Sequence, residues 1–528
     1  MKSTEKKIET VFISFLILLG LYYMVLASQT NFLGDDEFGY YFNAKQFSQG
    51  TMQTLDIYGY PALFAAPFVS SFTSFFFFLF GPSLAISKMV SAFFGVLTLI
   101  VIYLIGKKIS VFYGILSSVI ILSIYFFTHY MMLAYTDIPI TFFSALFLYI
   151  LLKKDDFKKT ISLGIVLGLA YYIKRSALVI TMFLFIYSLF KSFKENNFKH
   201  LKSAIISILI SFLILSPFLI RNIIFFRYPY YDIINIFFKD YALYRVTFPV
   251  WLDKMISTIS PVTLSLNTFV STLGWFLFML SIFGFSWLVD YEKLKPKERD
   301  LLVKSIFFVG TFLLVFITTQ VTGLVPLEPR HMLIMLPPLA LASGFFMIKL
   351  YEKNKFLIVV TIVILLLSLQ QSIVTAISTS QAQRFPDDHI EAINWIKSNT
   401  NQDDLIFTTY GGPLGYYGER FHIWAARPCL GEEFPTIMTT NDGTYIKEVL
   451  KKCDVSYILI WMPTVAQNYV IPASNLWGVY TYNFVRLVTT DTENFLVVFS
   501  NQNNVVLKVL YEEEKEPLLT NITESVFG

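Results

Sequence analysis

The chain has 528 residues, 55% hydrophobic and 15% charged, with a mean hydropathy of +0.60. This composition excludes an ordinary water-soluble protein, because apolar runs of the roughly 20 residues needed to cross a bilayer as a helix recur along most of it. The net charge of +4 resides in short loops between those runs, which points to lipid contact and not to nucleic acid.

In chain order the apolar runs fall near 10–27, 86–106, 111–127, 138–152, 160–173, 176–190, 203–220, 263–289, 305–320, 332–348 and 356–373, and predict a polytopic α-helical membrane protein with about 11 transmembrane helices. A further apolar stretch, 60–80, carries Pro61 and Pro67 at one end and Phe75 to Phe78 at the other. The Gly81-Pro82-Ser83 link after it has none of the lysines that mark cytoplasmic loops, so 60–80 reads as re-entrant or interfacial. Lys2, Lys6, Lys7, Lys107 and Lys108, and the lysine-rich segments 153–159, 191–202, 293–304 and 349–355, all fall on one side if the N terminus is inside. The longer links on the other side are sparse in basic residues. This bias predicts a cytoplasmic N terminus and an extracytoplasmic C-terminal region. The first run also resembles a signal peptide, with Lys6 and Lys7 ahead of the apolar core and Val25-Leu26-Ala27 as a passable cleavage site. Its length favours a retained anchor.

From about residue 376 the composition turns polar, which divides the chain into a transmembrane catalytic domain, 1–375, and an extracytoplasmic α/β domain, 376–528. Within the second, Asp387 to Ile396 predicts a helix behind an aspartate cap, with Ile390, Ile393 and Trp395 on one side. Leu405-Ile406-Phe407 and Tyr457 to Trp461 read as buried strands, with a helix from Thr444 to Lys452 between them. Gly411-Gly412-Pro413 and Gly415 lack the spacing of a phosphate-binding loop and read as a turn. Cys429 and Cys453, the only two cysteines, both fall in this region, where a disulfide is allowed by compartment but not required by spacing. Asn521-Ile522-Thr523 is a glycosylation sequon.

Charges inside or beside the spans carry the functional argument, because burying them in lipid costs a few kcal/mol and they tend to face cavities. Asp35, Asp36 and Glu37 follow the first span, where a solvated turn is the plain alternative. Asp137, in Tyr135-Thr136-Asp137-Ile138-Pro139, is either an N-cap ahead of a first-turn proline or a site residue. Lys174 and Arg175 close a run containing Gly164 and Gly168; they complement a helix dipole or snorkel, yet a cation pair on the outer face departs from the positive-inside bias and suits a bound anion. Arg221-Asn222 after Ser216-Pro217, and Glu328-Pro329-Arg330-His331, repeat that pattern. The outer segment 221–262, with Tyr228, Tyr230, Tyr231, Tyr241, Tyr244 and Trp251, suits either an aromatic belt or contact with lipid or sugar rings.

These motifs, in this order, resemble a family: the GT-C type glycosyltransferases that include the protein mannosyltransferases and lipid A aminoarabinose transferases. The resemblance covers roughly residues 5–375. It rests on Asp36-Glu37-Phe38-Gly39-Tyr40-Tyr41 with Ala44, on Tyr60-Pro61-Ala62-Leu63, and on Leu79-Phe80-Gly81-Pro82 to Lys88, where the family commonly has arginine. It continues through Ala134 to Pro139, Gly164 to Lys174, Ser216 to Asn222 and Arg330-His331-Met332-Leu333. The resemblance implies transfer of a sugar from a polyprenyl-phosphate carrier to a protein, lipid or glycan acceptor on the extracytoplasmic face, with inversion at the anomeric carbon. It implies Asp36 as general base, Glu37 shaping the site, and Asp137 orienting the acceptor or a metal. Asp35 precedes the expected Asp-Glu pair and leaves the catalytic aspartate ambiguous, with Asp36 favoured by register. Independently, a lipid-linked phosphate needs surface cations, and Lys174, Arg175, Arg221 and Arg330 supply them. A divalent metal stays open, since two carboxylates and His129 make no recognisable set. Two other classes stand beside this reading: a transporter or flippase of lipid-linked sugars, which should show inverted repeats and midplane charges, and a receptor whose outer domain binds a ligand.

Overall fold

The computed structural model describes residues 2–30, 35–50, 67–226, 275–321, 329–353, 355–382, 386–408, 414–420, 422–423, 433, 436–437, 440–462 and 476–511. The aromatic segment 228–251, the 411–413 turn and the 521–523 sequon lie outside the described residues.

Helices dominate as far as residue 382. They are α1 (Lys2–Gln29), α2 (Asp35–Ser48), α3 (Pro67–Phe80), α4 (Leu84–Lys107), α5 (Val111–Leu122), α6 (Tyr125–Met131), α7 (Asp137–Leu151), α8 (Phe157–Ile173), α9 (Leu178–Lys194), α10 (Lys199–Phe226), α11 (Trp275–Ser286), α12 (Pro296–Val321), α13 (Leu336–Lys353) and α14 (Lys355–Ala382). Among the described residues four segments are long and apolar enough to span a membrane: Glu5–Gln29, Leu84–Lys107, Lys199–Ile220 and Arg330–Lys353. The run expected at 111–127 is instead a bent pair, α5 and α6, meeting at 73°. The break at Ser123 frees a carbonyl that Ser372 Oγ satisfies at 2.9 Å, as backbone interrupted at membrane depth requires. Several other apolar runs form helices of fewer than 18 residues, α3 and α7 among them. The runs at 305–320 and 356–373 lie in α12 and α14, which are 26 and 28 residues long.

One core links this bundle, from Leu16 and Tyr23 of α1 through Phe147 of α7 and Phe183 of α9 to Phe345 of α13. The opposite faces of the same helices expose Val11, Leu18 and Leu21 on α1, and Leu209 and Leu213 on α10. Apolar exposure on this scale needs a hydrocarbon surround, and the protein is a membrane protein. Small residues set a close helix contact: a Cβ on Gly164 would lie 2.6 Å from Ile210 Cβ and 2.7 Å from the Ser207 carbonyl, and one on Gly168 2.7 Å from Ile214 Cβ. This small-residue stripe clamps α8 to α10 and thereby fixes the end of α8, where Lys174 stands.

Beyond Ala382 come α15 (Asp387–Asn399), β1 (Leu405–Thr408), β2 (His422–Ile423), α16 (Gly443–Lys452), β3 (Val455–Trp461), α17 (Leu476–Thr490), β4 (Phe495–Ser500) and β5 (Asn504–Val509). The sheet order is β2-β1-β3-β5-β4; β1 pairs in parallel with β2 and β3, whereas β5 pairs antiparallel with β3 and β4. Alternate side chains cover the two faces, as strand geometry dictates. Phe407, Ile458 and Leu507 pack with Leu450 and Phe484 on one face, and Ile406, Leu459 and Val506 with Ile393 and Ile396 on the other.

The buried side of α15 is His389, Ala392, Ile393 and Ile396, while Trp395 is half-buried, its ring tilted against that of Phe499. The expected aspartate cap is replaced by Pro386 at the N-cap, with Asp388 Oδ1 accepting from the His389 amide. Cys453 is disulfide-bonded, and the chain's other cysteine is Cys429.

Candidate active site

The first-loop acids sit on a helix. Asp36 lies in the first turn of α2, and its side chain, like those of Arg175 and Arg221, lies outside the described residues. Glu37, one position on, is fully buried. Its Oε1 accepts a hydrogen bond from the Ala134 amide at 2.5 Å and stands 3.8 Å from Lys88 Nζ, which is itself fully buried. A carboxylate tied to a backbone donor and a buried cation is an anchor, so Glu37 holds the start of α2, including Asp36, against α4 and the link before α7. Tyr40, one turn along, reinforces that docking: its hydroxyl is 3.1 Å from Thr136 Oγ1, and its carbonyl accepts from Ser70 Oγ at 3.4 Å.

The four residues 134–137 are the hub of the site. Ala134 donates to Glu37, Tyr135 offers its ring to Arg330, whose guanidinium carbon is 4.8 Å from the ring centroid, and Thr136 meets Tyr40. Asp137, 1% exposed at the start of α7, receives Lys174 Nζ on Oδ1 at 2.5 Å. Its Oδ2 is buried and has no donor among the described residues. Arg330 and His331 occupy the 3-10 turn Pro329–Met335, which Ser144 Oγ fastens to α7 by donating to the Ile334 carbonyl at 2.8 Å. Glu37, Asp137, Lys174 and Arg330 therefore share one hub. Asp137 is no side-chain cap, since Thr136 holds the N-cap position without a side-chain hydrogen bond.

Lys88, Tyr135, Thr136 and Ala134 stand in the motifs that carry the resemblance, but their contacts in the site are not visible from residue type. Lys88 had a signal, as a lone cation in an apolar helix; a backbone amide has none.

No group of three or more His, Cys, Asp or Glu side chains lies together among the described residues. Glu37 is engaged by Ala134 and Lys88, which leaves Asp137 Oδ2 as the open carboxylate oxygen among the described residues of the hub. His129 lies instead in an aromatic stack, 5.5 Å from Tyr125 and 5.2 Å from Tyr130 by ring centroids.

The arrangement is a helical membrane bundle with buried acid–base pairs at one end of its helices and a small mixed sheet after them, which is the GT-C architecture. The family model for dolichyl-phosphate-mannose-protein mannosyltransferases matches residues 65–220, the stretch that holds Lys88, the 134–137 hub and Lys174. No curated protein is similar enough in sequence to count as a match. Solved structures agree in fold. The Archaeoglobus fulgidus oligosaccharyltransferase in complex with zinc and sulfate superposes with a TM-score of 0.60 at 15% identity, over 85% of this chain and 68% of that one. The same organism's oligosaccharyltransferase AglB, in complex with an inhibitory peptide and a dolichol-phosphate, gives 0.61 at 14% identity, over 89% and 72%. ArnT from Cupriavidus metallidurans, bound to undecaprenyl phosphate, gives 0.60 at 12% identity, over 95% of this chain and 99% of its own. The chain thus shares the fold of these solved structures, and its residues 65–220 match the mannosyltransferase family model.

Proposed function

We propose that the protein transfers a sugar from a polyprenyl-phosphate-linked donor to an acceptor hydroxyl or amide on the extracytoplasmic face, with inversion of the anomeric carbon. The observation that carries the reading is the convergence, on residues 134–137, of an anchored first-loop helix, a buried acid with one open oxygen, and two cations. Asp36 is the general base, one residue ahead of the anchored Glu37. Lys174 and Arg330, with Arg175 and Arg221, hold the donor phosphate, and Asp137 orients Lys174 and, through Oδ2, the acceptor.

In the reaction the bond from C1 of the sugar to the phosphate oxygen breaks and its electron pair leaves with polyprenyl phosphate. The acceptor atom bonds to C1 from the opposite face, and its proton passes to Asp36. Cations placed at the leaving phosphate stabilise the charge that develops there, and a carboxylate within reach of the acceptor serves as base. The named relatives support the donor class, since ArnT was solved with undecaprenyl phosphate and AglB with dolichol-phosphate.

The same reading orients the chain with its N terminus in the cytoplasm, residues 1–375 as the membrane domain and 376–528 outside. The lysine bias of the short links and the disulfide at Cys453, a bond that persists in oxidising compartments, support it. The test is transfer by purified membranes supplied with a panel of radiolabelled polyprenyl-phosphate sugars. Labelled product from at least one donor is expected; no transfer from any of them would overturn the proposal in favour of transport or sensing.

A further inference from the structure

The α7–α8 hairpin has a second end. About 15 residues of helix separate Asp137 from the link after Leu151, a rise of roughly 22 Å, so the links at 152–156 and 195–198 lie on the face opposite the hub. There α8, α9, α10 and α12 enclose a cavity of about 380 Å³, which Lys159, Lys191, Lys199, Lys202 and Lys304 line together with His200.

The carboxylates present do not neutralise this group. Asp155 takes Lys159 at 2.6 Å and stands 3.7 Å from Lys191 and from His200. Asp300 takes Lys304 at 2.7 Å, and that lysine also donates to the Leu151 carbonyl. Glu195 is shared between Lys191 and His200, and Asp156 caps α8 by accepting from the Lys159 amide at 2.7 Å. Lys199 and Lys202, exposed on the first turn of α10, have no carboxylate within ion-pair distance among the described residues.

The depth of the cavity is different in kind. Leu163, Leu184, Tyr187 and Ile206 form an apolar wall one or two turns further into the bundle, and beside it α9 and α10 expose Phe190, Ile205 and Leu209. A cationic rim above an apolar wall that opens onto hydrocarbon matches an amphiphile with a negative headgroup. A soluble anion would gain nothing from the wall. Lysines present only to orient the chain in the membrane need neither cavity nor wall, whereas basic pockets between transmembrane helices bind anionic headgroups.

We propose that this cavity is a binding site for an anionic membrane lipid, its phosphodiester held by Lys199 and Lys202 at the rim and its acyl chains lying along the α9–α10 surface. The site is independent of the donor site and lies at the other end of the same hairpin.

The test uses the full-length protein, purified, delipidated and titrated in neutral detergent with phosphatidylglycerol, phosphatidylcholine or glycerophosphate, with bound lipid counted by native mass spectrometry. One phosphatidylglycerol is expected to bind. The rim variant K199Q/K202Q should weaken its binding about thirtyfold, roughly fivefold per lysine, at an unchanged melting temperature. The control K295Q/K297Q, on the same face but outside the cavity, should leave binding unchanged. Should the double variant fail to fold, the single variants K199Q and K202Q carry the same expectation at about fivefold each. Equal losses in the rim and control pairs would reduce the effect to general surface charge and overturn the proposal. So would no loss in either, equal binding of phosphatidylcholine, or glycerophosphate binding as tightly as the lipid.

Discussion

Replacing Lys88 by Met should destabilise the protein far more than an ordinary change in a membrane helix. Lys88 and Glu37 are both fully buried with 3.8 Å between Nζ and Oε1. At that separation and an effective dielectric of about 20 the attraction is about 4 kcal/mol. Removing one partner takes from the other its buried counter-charge, which typically costs about 3–5 kcal/mol. The Ala134 amide remains as one donor to Glu37 and offsets little of this. K88M should therefore lose about 3–5 kcal/mol in denaturant unfolding of the purified protein in detergent, followed by tryptophan fluorescence. The double variant K88M/E37Q should recover most of that loss, because no lone charge is left and the carboxamide oxygen introduced by E37Q can still accept from Ala134. If K88M unfolds within about 1 kcal/mol of the wild type, or the double variant loses the sum of the two single losses, the pair is not the anchor of α2 and the placement of Asp36 loses its basis.

Three further expectations follow from the geometry. G168V should destabilise the bundle by about 1–3 kcal/mol through overpacking, since a Cβ there already meets Ile214 Cβ at 2.7 Å; melting of purified protein checks it, and an unchanged melting point would contradict the α8–α10 clamp. K174M and R330M should each weaken donor use by about tenfold to a hundredfold, the worth of a charge-assisted hydrogen bond, read as a rise in KM for the donor at equal expression; if both leave donor use unchanged, the phosphate assignment is wrong. His389 is buried against Trp461, with Nδ1 2.6 Å from Asn504 Oδ1, and burial pushes its pKa below the ordinary histidine value. Below about pH 6.5 the unfolded chain then binds a proton that the folded chain refuses, so stability falls with pH from there downward and is insensitive to His389 above it. Unfolding of the wild type and H389Q between about pH 7.5 and about pH 5 should show the wild type losing stability faster; parallel curves would contradict this.

The sequence makes some parts of this protein plain and hides others for physical reasons. Apolar runs locate the membrane helices because hydrophobic length is a direct requirement of the bilayer. They do not show that the 111–127 run breaks at Ser123, since the break depends on Ser372, far away in the chain, to satisfy the freed carbonyl. Charges at the ends of apolar runs point to Asp137, Lys174 and Arg330 because such charges are costly in lipid unless paired. Their partners are less visible: Tyr135 resembles any interfacial aromatic, and the Ala134 amide is common to every residue. In the C-terminal region β1 and β3 stand out as continuous apolar runs. The β4–β5 hairpin carries a comparable signal, an apolar run from Phe495 to Phe499 and a turn at Asn501 to Asn503, but Asn504 and Lys508 interrupt β5 and one face of β4 is partly exposed.

The measurement that bears most directly on the account is sugar transfer by D36N and wild-type protein at equal expression in purified membranes, with the donor that the wild type uses. Transfer should be lost in D36N while the protein still folds and still binds the donor phosphate, because the base is removed and the Glu37–Lys88 anchor and the cations are untouched. Transfer by D36N at the wild-type rate would contradict it and move the base to another carboxylate.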